Sequence, residues 1–548
     1  MRRLGELLLE KGLIKENQLE VALKVQTLTG ERLGEVLVKL GFISSRDLAQ
    51  CLAEQHGLPY IDLREIQGIS EYLLKKFPKE VTQDAGFLPL EENHELHIVV
   101  TDPANLRAFE VAQAMSKKRV RVFLTDEEVF WDVFEKVYYF LENPTEKLVE
   151  EVNRRARLEV PTELIPQLVE ALISEGVRRH ATHIHLMVTE PVLNVLYRVD
   201  GVLLYGFSLM RNLVFPIISR IKILAQMEIA ETRIPQDGSF EFEFLGRKYG
   251  IRVSTLPTIQ GESVVLRILF GTRSELYRLE NLGFEKELIK ELKLLMRKPH
   301  GMILCTGPTG SGKSTTLYAL LNEVNRLERS VITIEDPVEY RLNFAKQSRI
   351  NEKKAYDFTM ADRNFMRHDP DIIVIDEIRD EETAKTAIRA SITGHLLLST
   401  LHANDSLSVI PRFLDLGVDR FLLSTSLLGV LSQRLVRKIC PICKDERKPT
   451  EAEKRLFEEN GFDSNEIRSL YFGRGCSACK GLGYFGRTAI GELLTVNDTI
   501  RDMIYKGASF REFREAALKA GTEPLKRDGI KKVLKGITTI EELERVLG

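Results

Sequence analysis

Apolar positions in the first 56 residues repeat themselves. Residues 3–26, RLGELLLEKGLIKENQLEVALKVQ, align without gaps on residues 32–55, RLGEVLVKLGFISSRDLAQCLAEQ. Arg3/Arg32, Leu4/Leu33, Gly5/Gly34, Gly12/Gly41, Leu19/Leu48, Leu23/Leu52 and Gln26/Gln55 match, with TLTGE between the copies. Each copy predicts a short helix ending at a glycine, an apolar pair, and a helix with leucines four apart. A duplicated helical module is therefore expected over 1–60. From 61 to 145 the pattern mixes helices with strands such as HELHIVV and RVRVFLT. The polar stretch 146–160 reads as a linker. Residues 161–275 form a second α/β unit, with strands in LNVLYRVDGVLLYGF and YGIRVSTL around the helical SRIKILAQMEIAETR. The last unit, 285–548, alternates apolar strands (MILCT, VITIE, DIIVIDE, HLLLSTL) with helices, and a cysteine segment at 440–480 is inserted in it.

A chain of 548 residues is too long for one core. An apolar share of 43% with 29% charge is that of a globular chain. Net charge is −2, so no global basic field draws in nucleic acid. MRRLGELLLEKG starts like a signal peptide, but Glu6, Glu10 and Lys11 interrupt it. No uncharged run approaches the roughly 18 residues needed to span a bilayer. A soluble protein that meets membranes only through partners is expected.

The sharpest chemistry lies at Gly307–Pro308–Thr309–Gly310–Ser311–Gly312–Lys313–Ser314, between strand MILCT and the helical TTLYALLNEVNRL. That context suits a phosphate-binding P-loop. Glycines let backbone amides turn inward, and the helix N-terminus favours anions. Lys313 would reach the β- and γ-phosphates, Ser314 would ligate Mg²⁺, and Thr315 follows in the same turn. A merely structural glycine turn would not need strand, Lys-Ser and helix in this order. Downstream, DIIVIDE ends in Asp376 and Glu377, VITIEDPVEY carries Glu335 and Glu339, and HLLLSTLHAN is bounded by His395 and His402. Strand ends of this kind converge on one crevice, which favours nucleotide contact for His402 over simple packing.

Four of six cysteines form two CxxC pairs, Cys440/Cys443 and Cys476/Cys479, with 32 residues between them. Four thiolates suit a structural tetrahedral Zn²⁺ site; disulfides and an iron–sulfur cluster are the alternatives. Cys51 and Cys305 read as core thiols.

Together these strings resemble the secretion ATPases of type II secretion and type IV pilus systems, most closely the pilus-assembly branch. The likeness runs through GPTGSGKSTTLYALL, ITIEDPVEY, DPDIIVIDEIRDEETA, TGHLLLSTLHAND and both CxxC pairs. RVDG, SRIKILA, ETRIPQDG and RVSTLPTIQGESVVLRIL extend it upstream. The resemblance implies an α/β chain: a RecA-like ATPase domain preceded by a smaller PAS-like α/β domain and an N-terminal helical repeat plus α/β domain. It implies ATP and Mg²⁺, Glu339 as general base with Glu335 beside it, Glu377 as the Mg²⁺-linked carboxylate and His402 as γ-phosphate sensor. It also implies Arg252 and Arg267 as arginines that approach the nucleotide, and it supports zinc at the four cysteines.

The repeat further resembles the cyclic-di-GMP-binding MshEN-type domain of some of these ATPases. A two-fold symmetric dinucleotide suits two copies of one site. Arg3 and Arg32 would fork onto guanine edges or phosphates, Leu4–Gly5 and Leu33–Gly34 would allow close backbone approach, and Gln26 and Gln55 would add polar contacts. A helical docking module with surface arginines is the competing reading. Three positions depart from the family: Asp376 replaces glycine, His183 replaces an acid in THIHL, and MRHDPD replaces an arginine-glutamine version. No role is assigned to Asp376 or His183.

The implied function is a hexameric, ATP-hydrolysing motor at the cytoplasmic face of the inner membrane. It would power pilus assembly through a platform protein and other machine components, with the type II secretion motor as alternative. A non-hydrolysing nucleotide sensor is disfavoured by Lys313, Glu339 and Glu377. A DNA-translocating ring is disfavoured because no basic cluster with interleaved aromatics appears.

Overall fold

The computed structural model describes residues 3–66, 68–270, 277–350, 364–476 and 478–548. They form two compact units. One holds the described residues of Met1–Lys15, Glu31–Val38 and Ile43–Arg273; the other those of Glu16–Gly30, Lys39–Phe42 and Ser274–Gly548.

The four repeat helices form as the pattern predicts: Leu4–Glu10, Glu16–Thr29, Leu33–Lys39 and Ser45–His56. They do not stay together as one module over 1–60, because Glu16–Gly30 and Lys39–Phe42 group with the second unit. Two of the contacts that hold them there use positions at which the copies differ. Asn17 donates to Glu328 at 3.0 Å, and Phe42 stacks on Phe344 at 5.5 Å; the equivalent residues are Arg46 and Leu13.

In the first unit, β1 (Leu88–Glu92), β2 (Glu95–Val100) and β3 (Arg119–Leu124) make a small sheet. Six antiparallel strands follow: β4 (His183–Val188), β5 (Val192–Val199), β6 (Val202–Met210), β7 (Gln236–Phe244), β8 (Arg247–Thr258) and β9 (Gly261–Phe270). Their order is β6-β5-β4-β9-β8-β7. Alternation puts Ile184, Leu186, Val195, Tyr197, Val253 and Leu266 in the core shared with the amphipathic helix Ile165–Arg178. The stretch expected to be a linker is instead the helix Thr145–Ala156. Val149, Val152 and Ala156, spaced three and four apart, enter the same core. Those few apolar side chains on a polar segment suffice once a partner surface exists.

The second unit has a seven-stranded sheet. Its strands are β10 (Gly301–Thr306), β11 (Val331–Glu335), β12 (Ala345–Arg349), β13 (Ile372–Glu377), β14 (Leu396–Leu401), β15 (Leu427–Ile439) and, after the short pair β16 (Lys444–Arg447) and β17 (Leu470–Gly473), β18 (Tyr484–Thr495). The order is β12-β11-β13-β14-β10-β15-β18, parallel except for β18. Every residue of β10 and β14 is buried, as expected for a parallel sheet covered on both faces. The core starts earlier than the expected 285, since Leu279 is fully buried in it and Tyr277 packs against it.

Candidate active site

Parallel pairing sets the ends of β11, β13, β14 and β10 side by side, the edge at which open α/β sheets bind ligands. β10 runs into the loop Gly307–Gly312, and the helix Lys313–Asn322 starts from Gly312 at φ +89°. Gly307 has φ +148°, and a Cβ there would lie 2.6 Å from both the Gln433 carbonyl and Ser311 Oγ. Only glycine fits. Lys313 Nζ donates to the Gly307 and Pro308 carbonyls at 2.8 and 3.2 Å. Burial lowers its pKa, with Glu377 opposing that shift. Pro308, Thr309 and Gly310 are exposed at the loop tip, while Ser314 and Thr315 are half-buried in the first helical turn. Gln433 Nε2 donates to the Ser311 carbonyl at 2.7 Å and braces the loop from β15.

The acids occupy distinct surroundings. Glu335 is 4% exposed and accepts hydrogen bonds from the Tyr318 hydroxyl, Thr333 Oγ1 and Gln347 Nε2. Its carboxylate thus ties the core to the end of β11. Glu339 is exposed on the loop that follows. Asp376 is pushed up to about 7, by burial first and then by Glu335, Glu339 and Glu377, against the Asp336 N–H. Glu377 Oε1 lies 2.8 Å from His402 Nε2, and its Oε2 accepts from Arg379 Nε at 2.7 Å. Thr306 holds the end of β14 in place, donating to the Leu401 carbonyl (3.0 Å) and accepting from the Ala403 N–H (3.0 Å). His395, at the other end of β14, bonds the Ala390 carbonyl instead. A cleft of about 510 Å³ borders Gly307, Pro308, Thr309, His402 and Arg412. A second, of about 290 Å³, borders Glu377, Arg379, His402 and Arg412.

Lys313, Ser314, the acids and His402 thus belong to one unit. Arg252 and Arg267 belong to the other, exposed and directly opposite each other on β8 and β9. The row continues to His183 on β4 and Arg198 on β5. Burial lowers the His183 pKa, and Arg267, His185 and Arg198 lower it further. Like charges across strands oppose folding by a few tenths of a kcal/mol each, so this row is held by the sheet rather than holding it. Arg3, Leu4, Gly5, Arg32, Leu33, Gly34 and Gln55 lie in the first unit and Gln26 in the second. Arg32 Nη1 reaches Asp102 at 3.3 Å. Gly34 is buried, and a Cβ on it would lie 2.6 Å from Leu48 Cδ1.

The four cysteines converge, with all Sγ atoms within 4.8 Å of one another. The Sγ separations are 3.9 Å for Cys440–Cys476, 3.8 Å for Cys443–Cys479 and 3.7 Å for Cys476–Cys479. A tetrahedral zinc with bonds of about 2.3 Å needs sulfur–sulfur edges of about 3.8 Å. Burial opposes ionisation of Cys479, yet the Cys476 and Gly483 N–H groups that donate to its sulfur outweigh that and bring it down to about 7. The donor set fits zinc.

Residues that sequence reasoning passed over are Tyr318, Arg379, Arg412 and Gln433. Arg379 sits two positions after Glu377 and was legible in IRDEE. Tyr318 lies on the helix that follows the loop, but its bond to Glu335 carried no local signal; Arg412 and Gln433 lie on elements remote in sequence.

A buried strand, a glycine loop closed by Lys-Ser at a helix start, and acids on the adjacent strand ends define a P-loop ATPase. The chain belongs to the type II/IV secretion system protein family, whose model matches residues 159–545. An MshEN-domain model matches 56–143, beginning just beyond the repeat residues Arg3 to Gln55. Type II secretion system protein E of Pseudomonas aeruginosa is 40% identical over 475 residues, 84% of this chain and 93% of that one. The type IV pilus assembly ATPase PilB of Myxococcus xanthus is 34% identical over 561 residues, 99% of this chain and 98% of that one. The DotB ATPase of Legionella pneumophila shares the fold, with a TM-score of 0.50 at 20% identity over 69% of this chain and 95% of that one.

Proposed function

We propose that this ATPase is the hexameric motor of a type IV pilus assembly machine, acting at the cytoplasmic face of the inner membrane through a platform protein. The observation that carries the reading is the Glu377–His402 pair at clefts that border Gly307–Thr309 of the loop leading into Lys313. Loop amides and Lys313 bind the phosphates; Ser314 and Glu377 hold Mg²⁺, which when bound neutralises phosphate charge. Glu339 orients a water and accepts its proton, while Glu335 positions the loop that bears it. His402 reports the γ-phosphate to Glu377, and Arg252 and Arg267 supply guanidinium groups to the phosphates. The four cysteines hold a structural zinc. The repeats and the MshEN region bind cyclic-di-GMP as a regulatory input. Among the described residues no helix is long and apolar enough to cross a membrane. Near-complete mutual coverage is shared by the pilus-assembly relative and by a type II secretion relative, so the choice of branch rests on the sequence resemblance. The higher identity of the secretion relative supports a type II secretion motor as second reading.

Purified chain should hydrolyse ATP, with Lys313→Ala and Glu339→Gln each reducing turnover at least about 100-fold. Undiminished turnover in both would remove these assignments. Expression in cells lacking their own pilus-assembly ATPase should restore surface pili. Restored protein secretion in a type II-deficient strain, with no pili in the first, would transfer the function to the second reading.

A further inference from the structure

Arg412 lies on the helix Val409–Asp415, which buries Val409, Ile410 and Phe413. The helix is anchored at its start, where Ser408 N–H and Oγ both donate to Asp405 at 2.7 Å. Arg412 borders both clefts of the nucleotide site: the one at Gly307–Thr309 and the one at Glu377 and Arg379, with His402 common to both. Other guanidinium groups nearby are committed. Arg379 is held by Glu377 at 2.7 Å, and Arg434 donates to the Gln433 and Asn404 carbonyls at 3.1 and 2.8 Å. Arg412 is exposed, and among the described residues its guanidinium makes no hydrogen bond or ion pair, even with Asp415 one turn away.

We propose that Arg412 is a phosphate-contacting catalytic residue of this ATPase, a guanidinium supplied in cis to the terminal phosphate beside His402. The assignment rests on the P-loop reading. A planar donor fork on a fixed helix matches the equatorial oxygens of a phosphoryl group in transfer. Charge spreads over those oxygens in the transition state, so the contact strengthens as reaction proceeds and acts on kcat more than on ground-state binding. ADP lacks the terminal phosphate and should be bound almost equally with or without it.

The test uses the full chain and compares wild type, Arg412→Ala and Arg412→Lys, with Lys313→Ala as control. Steady-state ATP turnover is measured alongside fluorescence binding of ADP and of ADP with aluminium fluoride, which mimics the transferring phosphoryl group. Arg412→Ala should lose at least about tenfold in kcat and in aluminium-fluoride-dependent affinity, with ADP affinity within about twofold of wild type. Arg412→Lys should recover part of the loss, and added guanidinium should raise turnover of Arg412→Ala. Wild-type turnover in Arg412→Ala overturns the proposal. So does an equal loss of ADP and aluminium-fluoride complexes, which marks a structural lesion. If Lys313→Ala also hydrolyses ATP normally, the P-loop reading itself has failed.

Discussion

Removing the cysteine cluster is the perturbation whose size follows most directly from the structure. Cys440 and Cys476 are 36 residues apart, as are Cys443 and Cys479. A metal joining them closes that loop, and the chain-entropy model gives about 4 kcal/mol for a cross-link of this length. Since about 1.4 kcal/mol is tenfold, local opening of the knuckles should rise by about 10³ when Cys443→Ser and Cys479→Ser are combined. The reporters are amides that bond across the knuckles: Cys440 to the Gly483 carbonyl at 2.9 Å, Arg474 to Cys443 at 3.0 Å and Gly481 to Cys476 at 2.9 Å. Hydrogen exchange at these amides should accelerate by that factor in the variant, and wild type treated with a strong chelator should behave alike. Metal analysis should find one zinc per wild-type chain and none in the variant. Exchange rates unchanged in the variant, together with metal-free wild type, would refute the reasoning.

Other consequences are as direct. Arg437 donates to the fully buried Glu542 from Nε and Nη2 at 2.9 and 2.7 Å. Arg545 also donates to Glu542 at 2.7 and 2.6 Å, so Arg437→Met combined with Arg545→Met should cost about 3 kcal/mol in denaturant unfolding of the ATPase unit, and a change below about 1 would contradict the pairing. The Arg447 guanidinium holds Glu453 down at about 2 from an ordinary 4.5. A depressed carboxylate lends stability that is whole above pH 4.5 and lost as pH falls towards 2. Protection of helix Glu451–Glu459 should follow that profile, and Arg447→Ala should flatten it. Gly34→Val would force branched carbons against Leu48, costing about 1–3 kcal/mol. It should lower the melting temperature of the first unit and abolish cyclic-di-GMP binding by titration calorimetry; retained binding would separate the repeat from that ligand.

Local chemistry was legible in the sequence because it is written in consecutive residues. The P-loop, the apolar strands ending in Glu377 and His402, the CxxC pairs and the repeat helices each need only short-range geometry, such as backbone turns, capping and periodicity. The polar segment at Thr145–Ala156 was misread because three apolar side chains decide its fate, and their partners lie in a core built from distant strands. The repeat likewise suggested one symmetric module, whereas Asn17 and Phe42, which its symmetry does not share, take part of it into the second unit.

Only tertiary structure decided which strand ends meet. Strand order β13-β14-β10 brings Glu377 to 2.8 Å from His402, and the helix after β14 sets Arg412 at the border of both clefts. Burial among other acids, which no local pattern encodes, lifts Asp376 to about 7. Parallel pairing joins segments tens of residues apart, and the energy that selects one register comes from burying whole strands. The amino-acid sequence by itself therefore determined the chemical parts and the elements that carry them, while the packed sheet determined their distances, their charges and their neighbours.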